Sequence, residues 1–126
     1  MTQEHKELLL VDICARLPYK VKISIPELFT NKEQVETLNE IFKGKDDLYR
    51  VNDSGILIEY IKPYLFPLSS MTNEQKHEYQ YITERWMYDS SYSISDSTDW
   101  LNKNHFDYRG LIESGLAIDA TNLNIY

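Results

Sequence analysis

Hydrophobic and polar residues in this chain repeat with two periods, which predict helices in some segments and strands in others. The first helical repeat covers residues 2–17, where Thr2 is a suitable N-cap and Pro18 ends the helix. Its apolar face comprises Leu10, Val11, Ile13, Cys14 and Leu17. Because Cys14 lies on this face, we expect a buried thiol.

Strict alternation predicts the first strand at residues 19–25, with one apolar and one polar face, ended by Pro26. Two further strands are predicted at 48–51 and 56–61. The four residues between them, 52–55, are all turn formers, which predicts an antiparallel hairpin. Segment 56–61 is the most apolar of the three and is predicted to be the central strand.

Two longer helices are predicted further along the chain. Residues 30–44 begin with a capping pattern at Thr30 and Glu33 and end at Gly44, where a C-cap glycine belongs. The other helix covers residues 72–88. It begins with a second capping pattern at Thr72 and Gln75, and its apolar stripe is Tyr79, Ile82 and Trp86.

The remaining C-terminal segments are predicted to be short. The serine-rich stretch 89–98 is typical of a mobile loop, and a short helix follows with Thr98 as its cap. Asp107 is suited to cap one further helical turn that Gly115 closes. Residues 116–126 are predicted to pack as an edge strand.

Two prolines limit what the middle of the chain can form. Pro63 and Pro67 exclude a continuous helix and disfavour a central strand, so residues 62–72 are interpreted as an extended segment over the core. Taken together, the segments predict an α+β fold, with a small antiparallel sheet of about three strands packed against several helices. At 126 residues, the chain 1–126 corresponds to a single domain.

The formal net charge is −7, and it is unevenly distributed. Residues 1–63 contain nine Lys/Arg and eleven Asp/Glu, whereas residues 64–126 contain four and nine. No basic cluster suits a nucleic-acid backbone or an anionic membrane. An acidic face favours a basic protein partner, although solubility alone accounts for the same charge.

The chain also carries weak indications of its compartment. With one cysteine no internal disulfide is possible, which fits a reducing compartment. The N-terminal apolar run, residues 8–11, is too short for a signal-peptide core, and no stretch approaches a membrane span. We therefore expect a cytoplasmic protein.

Known catalytic motifs do not occur in the sequence. It has no phosphate-binding glycine loop, nucleophile elbow or metal-binding motif, and no cofactor is predicted. His5, His77 and His105 are far apart along the chain, so a three-histidine metal site would depend on folding alone.

The densest cluster of reactive side chains is His105, Asp107, Tyr108 and Arg109. An imidazole near neutral pKa and a guanidinium that grips carboxylates or phosphates would suit a ligand site. The structural interpretation is stronger: Asp107 as a cap, Arg109 as an ion-pair partner and His105 as a hydrogen-bonded residue at a helix end.

Two aromatic residues between the prolines form a second candidate site. Tyr64 and Phe66 would act as a partner-binding knob if they projected from the surface. Their alternative role is to fill the core.

Two segments together resemble a known family. KPYLFPLSSMTNEQK (62–76) and DWLNKNHFDYRGLIESGLAIDATNLNIY (99–126), with a similar opening LLLVDICARLPYKVKI, resemble small uncharacterised proteins encoded by gut anaerobes and their phages and prophages. The resemblance is weaker over residues 26–50 and over the serine-rich stretch 89–98. It implies a soluble bacterial cytoplasmic protein on a mobile element, and it transfers no activity, cofactor or functional residue.

These observations favour a non-enzymatic interaction or regulatory protein with a protein partner and leave the oligomeric state open. Small size, acidity, ten tyrosines and the lack of a catalytic motif support this hypothesis. One alternative is an acidic inhibitor that imitates nucleic acid, which requires carboxylates at phosphate-like intervals along one face. The other is a ligand-binding protein or enzyme that uses the cluster at residues 105–109. A DNA-binding accessory factor is disfavoured by the charge.

Overall fold

The computed structural model describes residues 1–27 and 34–126. These residues form three α-helices and eight strands, and the predicted α+β class is confirmed. The helices are α1 (Gln3–Arg16), α2 (Asn73–Arg85) and α3 (Ile94–Lys103). The strands are β1 (Lys22–Ile25), β2 (Gln34–Thr37), β3 (Ile41–Lys43), β4 (Tyr49–Val51), β5 (Ile56–Leu57), β6 (Lys62–Pro67), β7 (Phe106–Asp107) and β8 (Ile118–Asp119).

The larger sheet has five strands and mixed direction, so the predicted antiparallel sheet of about three strands is wrong. Its order is β2-β1-β6-β7, and β8 also pairs with β6. Strand β6 is antiparallel to β1 and parallel to β7 and β8. The segment containing the two prolines is therefore the central strand of this sheet.

The prolines are tolerated because of where they lie in β6. Pro63 is the second residue of the strand and Pro67 is the last. Between them, the Phe66 N–H donates to the His105 carbonyl at 2.8 Å, and the Leu65 carbonyl accepts the Ala120 N–H at 2.8 Å. Pro63 pairs with Ile23 of β1 and Pro67 with Asp107 of β7, so the prolines lie near the two ends of β6, and Leu65 and Phe66 between them supply these hydrogen bonds.

The predicted hairpin is confirmed within a second, three-stranded antiparallel sheet of order β3-β4-β5. Val51 pairs with Ile56 across the turn, whose Asn52 and Gly55 have φ values of +55° and +66°. The central strand is β4, whereas β5 lies at the edge and continues into a 3-10 turn at Ile58–Tyr60.

The helix predicted over residues 30–44 is wrong wherever the structure describes it. Strand β2 pairs residue by residue with β1, and β3 pairs with β4, so both halves of the segment are recruited into sheets. Tertiary pairing overrides the helical spacing here. The predicted cap at Thr30 and Glu33 lies outside the described residues.

Helix α1 is confirmed, but it buries a different face from the predicted one. Thr2 caps it by accepting the His5 N–H at 3.1 Å. Its buried residues are Leu9, Asp12, Ile13 and Arg16. Val11 and Cys14 are exposed, so the predicted burial of the thiol is wrong. The following strand begins at Lys22 rather than residue 19, because residues Leu17–Tyr19 form a 3-10 turn.

The C-terminal half places two helices over a second core cluster. The predicted capping box of α2 is confirmed by Thr72 and Gln75. Helix α3 begins at Ile94, before the predicted cap Thr98, so part of the predicted mobile loop is helical. Both helices pack around Trp100, and none of the described helices is long and apolar enough to cross a membrane.

Candidate functional site

A buried carboxylate joins the His105–Arg109 region to α1. Asp12 accepts the Arg16 Nε–H at 2.8 Å and the Arg109 Nη1–H at 2.7 Å. Arg16 is fully buried, and its Nη2 donates to the Phe106 carbonyl at 2.7 Å. Both guanidinium groups lie over the Tyr108 ring, at 5.5 and 4.4 Å. Arg109 therefore has the ion-pair role predicted for it, with a partner distant in sequence.

Asp107 organises the turn that follows β7. Its carboxylate accepts backbone N–H groups from Arg109, Leu111 and Ile112 at 3.3, 3.0 and 2.9 Å. The side chain is thus a cap, as predicted, although the capped segment is a turn instead of a helix. An acceptor engaged by three donors is poorly placed to act as a general base.

The Tyr108 hydroxyl is also engaged within the protein. It donates to the Asn102 side chain on α3 at 3.0 Å. Together with the contacts of Asp107 and Arg109, this bond supports the structural interpretation of these three residues. The hydrogen bond expected of His105 is not found at its Nδ1, which is buried without a hydrogen-bond partner among the described residues. In the ranges 1–27 and 34–126, His, Cys, Asp and Glu side chains nowhere gather in threes suited to a metal ion.

His105 stacks on the aromatic ring of Tyr126 and takes no part in the hydrogen bonds described above for Asp107, Tyr108 and Arg109. The two rings stack with centroids 3.9 Å apart at an interplanar angle of 16°. Burial, together with the positive charges of Arg16 and Lys22, lowers the pKa of His105 to about 4. The imidazole is therefore neutral at pH 7 and a weak proton acceptor.

Tyr64 and Phe66 belong to the packed interior of the larger sheet. Tyr64 is 5% exposed. Phe66 is half-buried and contacts the rings of Phe106 and Tyr126, at centroid distances of 6.2 and 5.6 Å. These positions fit the core-filling role.

A surface that the sequence analysis missed lies where α2 ends and α3 begins. We call it the α2–α3 surface, and its members are large apolar side chains with a high exposed fraction. They are Tyr81 (50%), Trp86 (43%), Met87 (62%), Tyr88 (81%) and Ile94 (67%). Trp86 was predicted to face inward with Tyr79 and Ile82. Trp86, Met87 and Tyr88 are three consecutive large apolar residues that follow the stripe residues Tyr79 and Ile82. This run is the sequence feature that could have revealed the surface.

The helical turn continues past the end of α2 and places some residues of this surface on one face. The Asp89 N–H donates to the Arg85 carbonyl at 2.8 Å, which extends the helical turn past the end of α2. Tyr81, Arg85 and Tyr88 are then spaced along one face. The Arg85 guanidinium lies 4.7 Å from the centre of the Tyr81 ring, so an aromatic ring and a cation are presented side by side.

Acidic residues are frequent in the segment that carries the α2–α3 surface, but several have local roles. Residues 73–99 contain six Asp/Glu and two Lys/Arg. Among the nine carboxylates of residues 64–126, Asp89, Asp96, Asp107 and Asp119 accept nearby backbone N–H groups. Turn-capping carboxylates of this kind do not support an evenly spaced imitation of a phosphate backbone.

Two clefts occur elsewhere on the molecule. One, of about 370 Å³, lies between α1 and the three-stranded sheet, and its lining includes Lys6 and Glu59, which form an ion pair at 2.9 Å. The other, of about 320 Å³, lies beside Tyr60 and Lys62. Neither is lined by the residues predicted from the sequence as a ligand site.

Comparison with known proteins found no relative: no protein-family model, curated protein or solved structure matches this chain significantly.

Proposed function

We propose that this chain is a non-enzymatic interaction protein that binds another protein through the α2–α3 surface. The observation that supports the proposal is the group of five large apolar side chains, each more than 40% exposed, within residues 81–94. Tyr, Trp, Met and Arg are enriched at interface centres, where they supply most of the binding energy. Exposed large apolar side chains grouped within a short stretch of chain are a feature of protein–protein interaction sites.

The charge of the surroundings defines the expected partner. With six acidic and two basic residues, segment 73–99 has a formal net charge of −4. A complementary partner therefore has an apolar pocket for Met87 and Tyr88 and a rim of Lys and Arg. Such complementarity raises the association rate and makes it dependent on salt.

The proposed setting is a bacterial cytoplasm, with the gene on a phage or other mobile element. The family resemblance of residues 62–76 and 99–126 supports this setting. A regulatory protein of this kind would bind one host or phage protein without chemistry of its own. The side chains of Asp107, Tyr108 and Arg109 form hydrogen bonds within the protein, and this supports a non-enzymatic role.

The proposal is tested by affinity capture from the native host, followed by reconstitution with the purified partner. The test variant combines Met87→Ser and Tyr88→Ser. The control combines Leu68→Ser and Leu123→Ser, which remove exposed apolar side chains elsewhere, at 44% and 46% exposure against 62% and 81% for Met87 and Tyr88. Binding is measured by isothermal titration calorimetry at two salt concentrations.

We expect the test variant to bind at least about tenfold more weakly and the control variant to bind within about twofold of wild type. Affinity should also fall as salt rises. Equal binding by both variants, a salt-independent affinity, or capture of nothing but further copies of this chain would contradict the proposal.

A further inference from the structure

A slot for a phenol side chain lies between β1 and β6, and Tyr126 fills it. The Lys22 N–H donates to the Tyr126 hydroxyl at 2.8 Å, and the hydroxyl donates to the Tyr64 carbonyl at 2.7 Å. The Tyr126 ring stacks on His105 and also contacts Phe66. Its hydroxyl therefore has one donor and one acceptor, and its ring is held between aromatic side chains.

The slot exists because the pairing of β1 and β6 stops one residue early. The ladder pairs Ile23 with Pro63, so Lys22 and Tyr64 would form the next pair. Their N–H and C=O groups are instead bridged by the hydroxyl, which acts as both acceptor and donor. A para-substituted phenol satisfies both backbone groups, whereas a phenylalanine ring would leave them unpaired.

Residues 121–126, the segment that carries Tyr126, are largely exposed. Thr121, Asn122, Leu123 and Asn124 are exposed. Asn122 and Asn124 have φ values of +71° and +53°, in the left-handed region that asparagine adopts more readily than most other residues with a side chain. Because residues 121–124 are exposed, release of this segment uncovers little core.

We propose that the slot also accepts Tyr126 of a second copy, in a reciprocal exchange of residues 121–126 between two chains. The second copy is the occupant that the structure supports, because its segment reproduces every contact of the intramolecular one. Exchange of an identical segment between two protomers is a low-cost route to a dimer. Because the intramolecular segment competes at an effective concentration near millimolar, we expect a weak dimer with a Kd on the order of 0.1–1 mM.

Sedimentation velocity of the full chain from about 10 µM to 1 mM tests the exchange. Wild type and the control variant Leu123→Ala, which keeps Tyr126, should form dimers as the concentration rises. Tyr126→Ala should remain monomeric. A monomeric wild type at the highest concentration, or a Tyr126→Ala dimer of equal strength, would overturn the proposal.

An added peptide tests the slot itself. The probe is an acetylated peptide of residues 121–126, titrated into the full-length Tyr126→Ala chain and followed by NMR. It should bind at least about fivefold more tightly than the same peptide ending in phenylalanine, because only the phenol bridges Lys22 and Tyr64. Equal affinities of the two peptides would exclude recognition of the hydroxyl.

Two further variants keep the test decisive. If Tyr126→Ala does not fold, Tyr126→Phe preserves the ring and should weaken the dimer by at least about fivefold; an unchanged dimer would overturn the proposal. The Met87→Ser and Tyr88→Ser double variant should dimerise like wild type. A loss of the dimer there would assign self-association to the α2–α3 surface instead.

Discussion

Asp12 is the side chain that links α1 to the end of β7 through two arginines. Its carboxylate and the Arg16 guanidinium are both completely buried. We expect Asp12→Ala to lower the free energy of unfolding by about 3–5 kcal/mol, because it leaves the Arg16 charge buried without its partner. Urea denaturation at pH 7 measures the change.

The matched control is Asp47→Asn, which removes the charge from an open ion pair and keeps a residue that tolerates the left-handed backbone at that position (φ +65°). Asp47 lies 3.8 Å from Lys43, with 86% of its side chain exposed. Solvent screening makes such a pair weak. If Asp12→Ala cost no more stability than Asp47→Asn, the buried carboxylate would not hold the arginines as described.

His105 makes stability depend on pH in a defined direction. Its pKa falls from 6.5 to about 4 in the folded state, chiefly through burial and then through Arg16 and Lys22. Below pH 6.5 the unfolded chain therefore binds the proton more readily, so stability falls as the pH is lowered from 6.5 towards 4. Above pH 6.5 the contribution is fully present.

The size of this effect is isolated by comparison with His105→Asn, since asparagine tolerates the left-handed backbone at that position (φ +63°). We expect wild type to lose about 1–2 kcal/mol more than the variant between pH 6.5 and 4, given the partial exposure of the ring. Thermal unfolding across this range measures it, with His77→Asn on the exposed face of α2 as the control. Parallel pH profiles for wild type and His105→Asn would contradict the assignment.

Among the secondary-structure elements, those with strong local signals were predictable. The Thr2 cap, the Thr72–Gln75 box and the turn at residues 52–55 all formed as expected, because each depends on residues close in sequence. Strands β2 and β6 were not predictable, since their partners are distant: Ile23 pairs with both Glu36 and Pro63. Pattern alone does not reveal which segments meet.

The same distinction applies to the candidate sites. The sequence located the group His105–Arg109, but Asp12, which binds Arg109, lies 97 residues away. Because charged residues are expected at the surface, the sequence analysis did not assign Asp12 and Arg16 to the buried face of α1. The available signal was the helical spacing of Leu9, Asp12, Ile13 and Arg16, with opposite charges four residues apart.

Helix α2 carries much of the α2–α3 surface, yet it has no fully buried residue. Its stability therefore depends strongly on its capping box, in which Thr72 Oγ1 accepts the Gln75 N–H at 3.1 Å. We expect Thr72→Ala to weaken α2 by about 1 kcal/mol, and hydrogen exchange of α2 amides to accelerate about fivefold. Strand β6 should change little.

Thr98→Ala is the control for this prediction, because Thr98 lies within α3 and is not its cap. Its effect on the exchange of α2 amides should be negligible. Equal acceleration in α2 and β6 after Thr72→Ala would show that α2 opens only when the whole molecule unfolds.

For the molecule as a whole, β6 is the element on which the sheet depends. It contacts β1 from the N-terminal half and β7 and β8 from the C-terminal half. Leu65, at its centre, is completely buried, and the neighbouring Tyr64 carbonyl holds Tyr126. We therefore expect the described strands of the larger sheet to unfold together rather than in separate steps.

Leu65→Ala tests this expectation, because the cavity it leaves should weaken the sheet on both sides of β6. We expect a loss of about 3 kcal/mol in the free energy of unfolding, against less than about 0.5 kcal/mol for Leu68→Ala, whose side chain is 44% exposed just beyond the strand. Guanidinium titration followed by tryptophan fluorescence and far-UV circular dichroism measures both values.

Coincident transitions shifted to lower denaturant would place β1, β7 and β8 in one cooperative unit, since Trp100 reports on the cluster around β7. If the fluorescence transition moved while the circular dichroism transition stayed in place, the two sides of β6 would unfold independently.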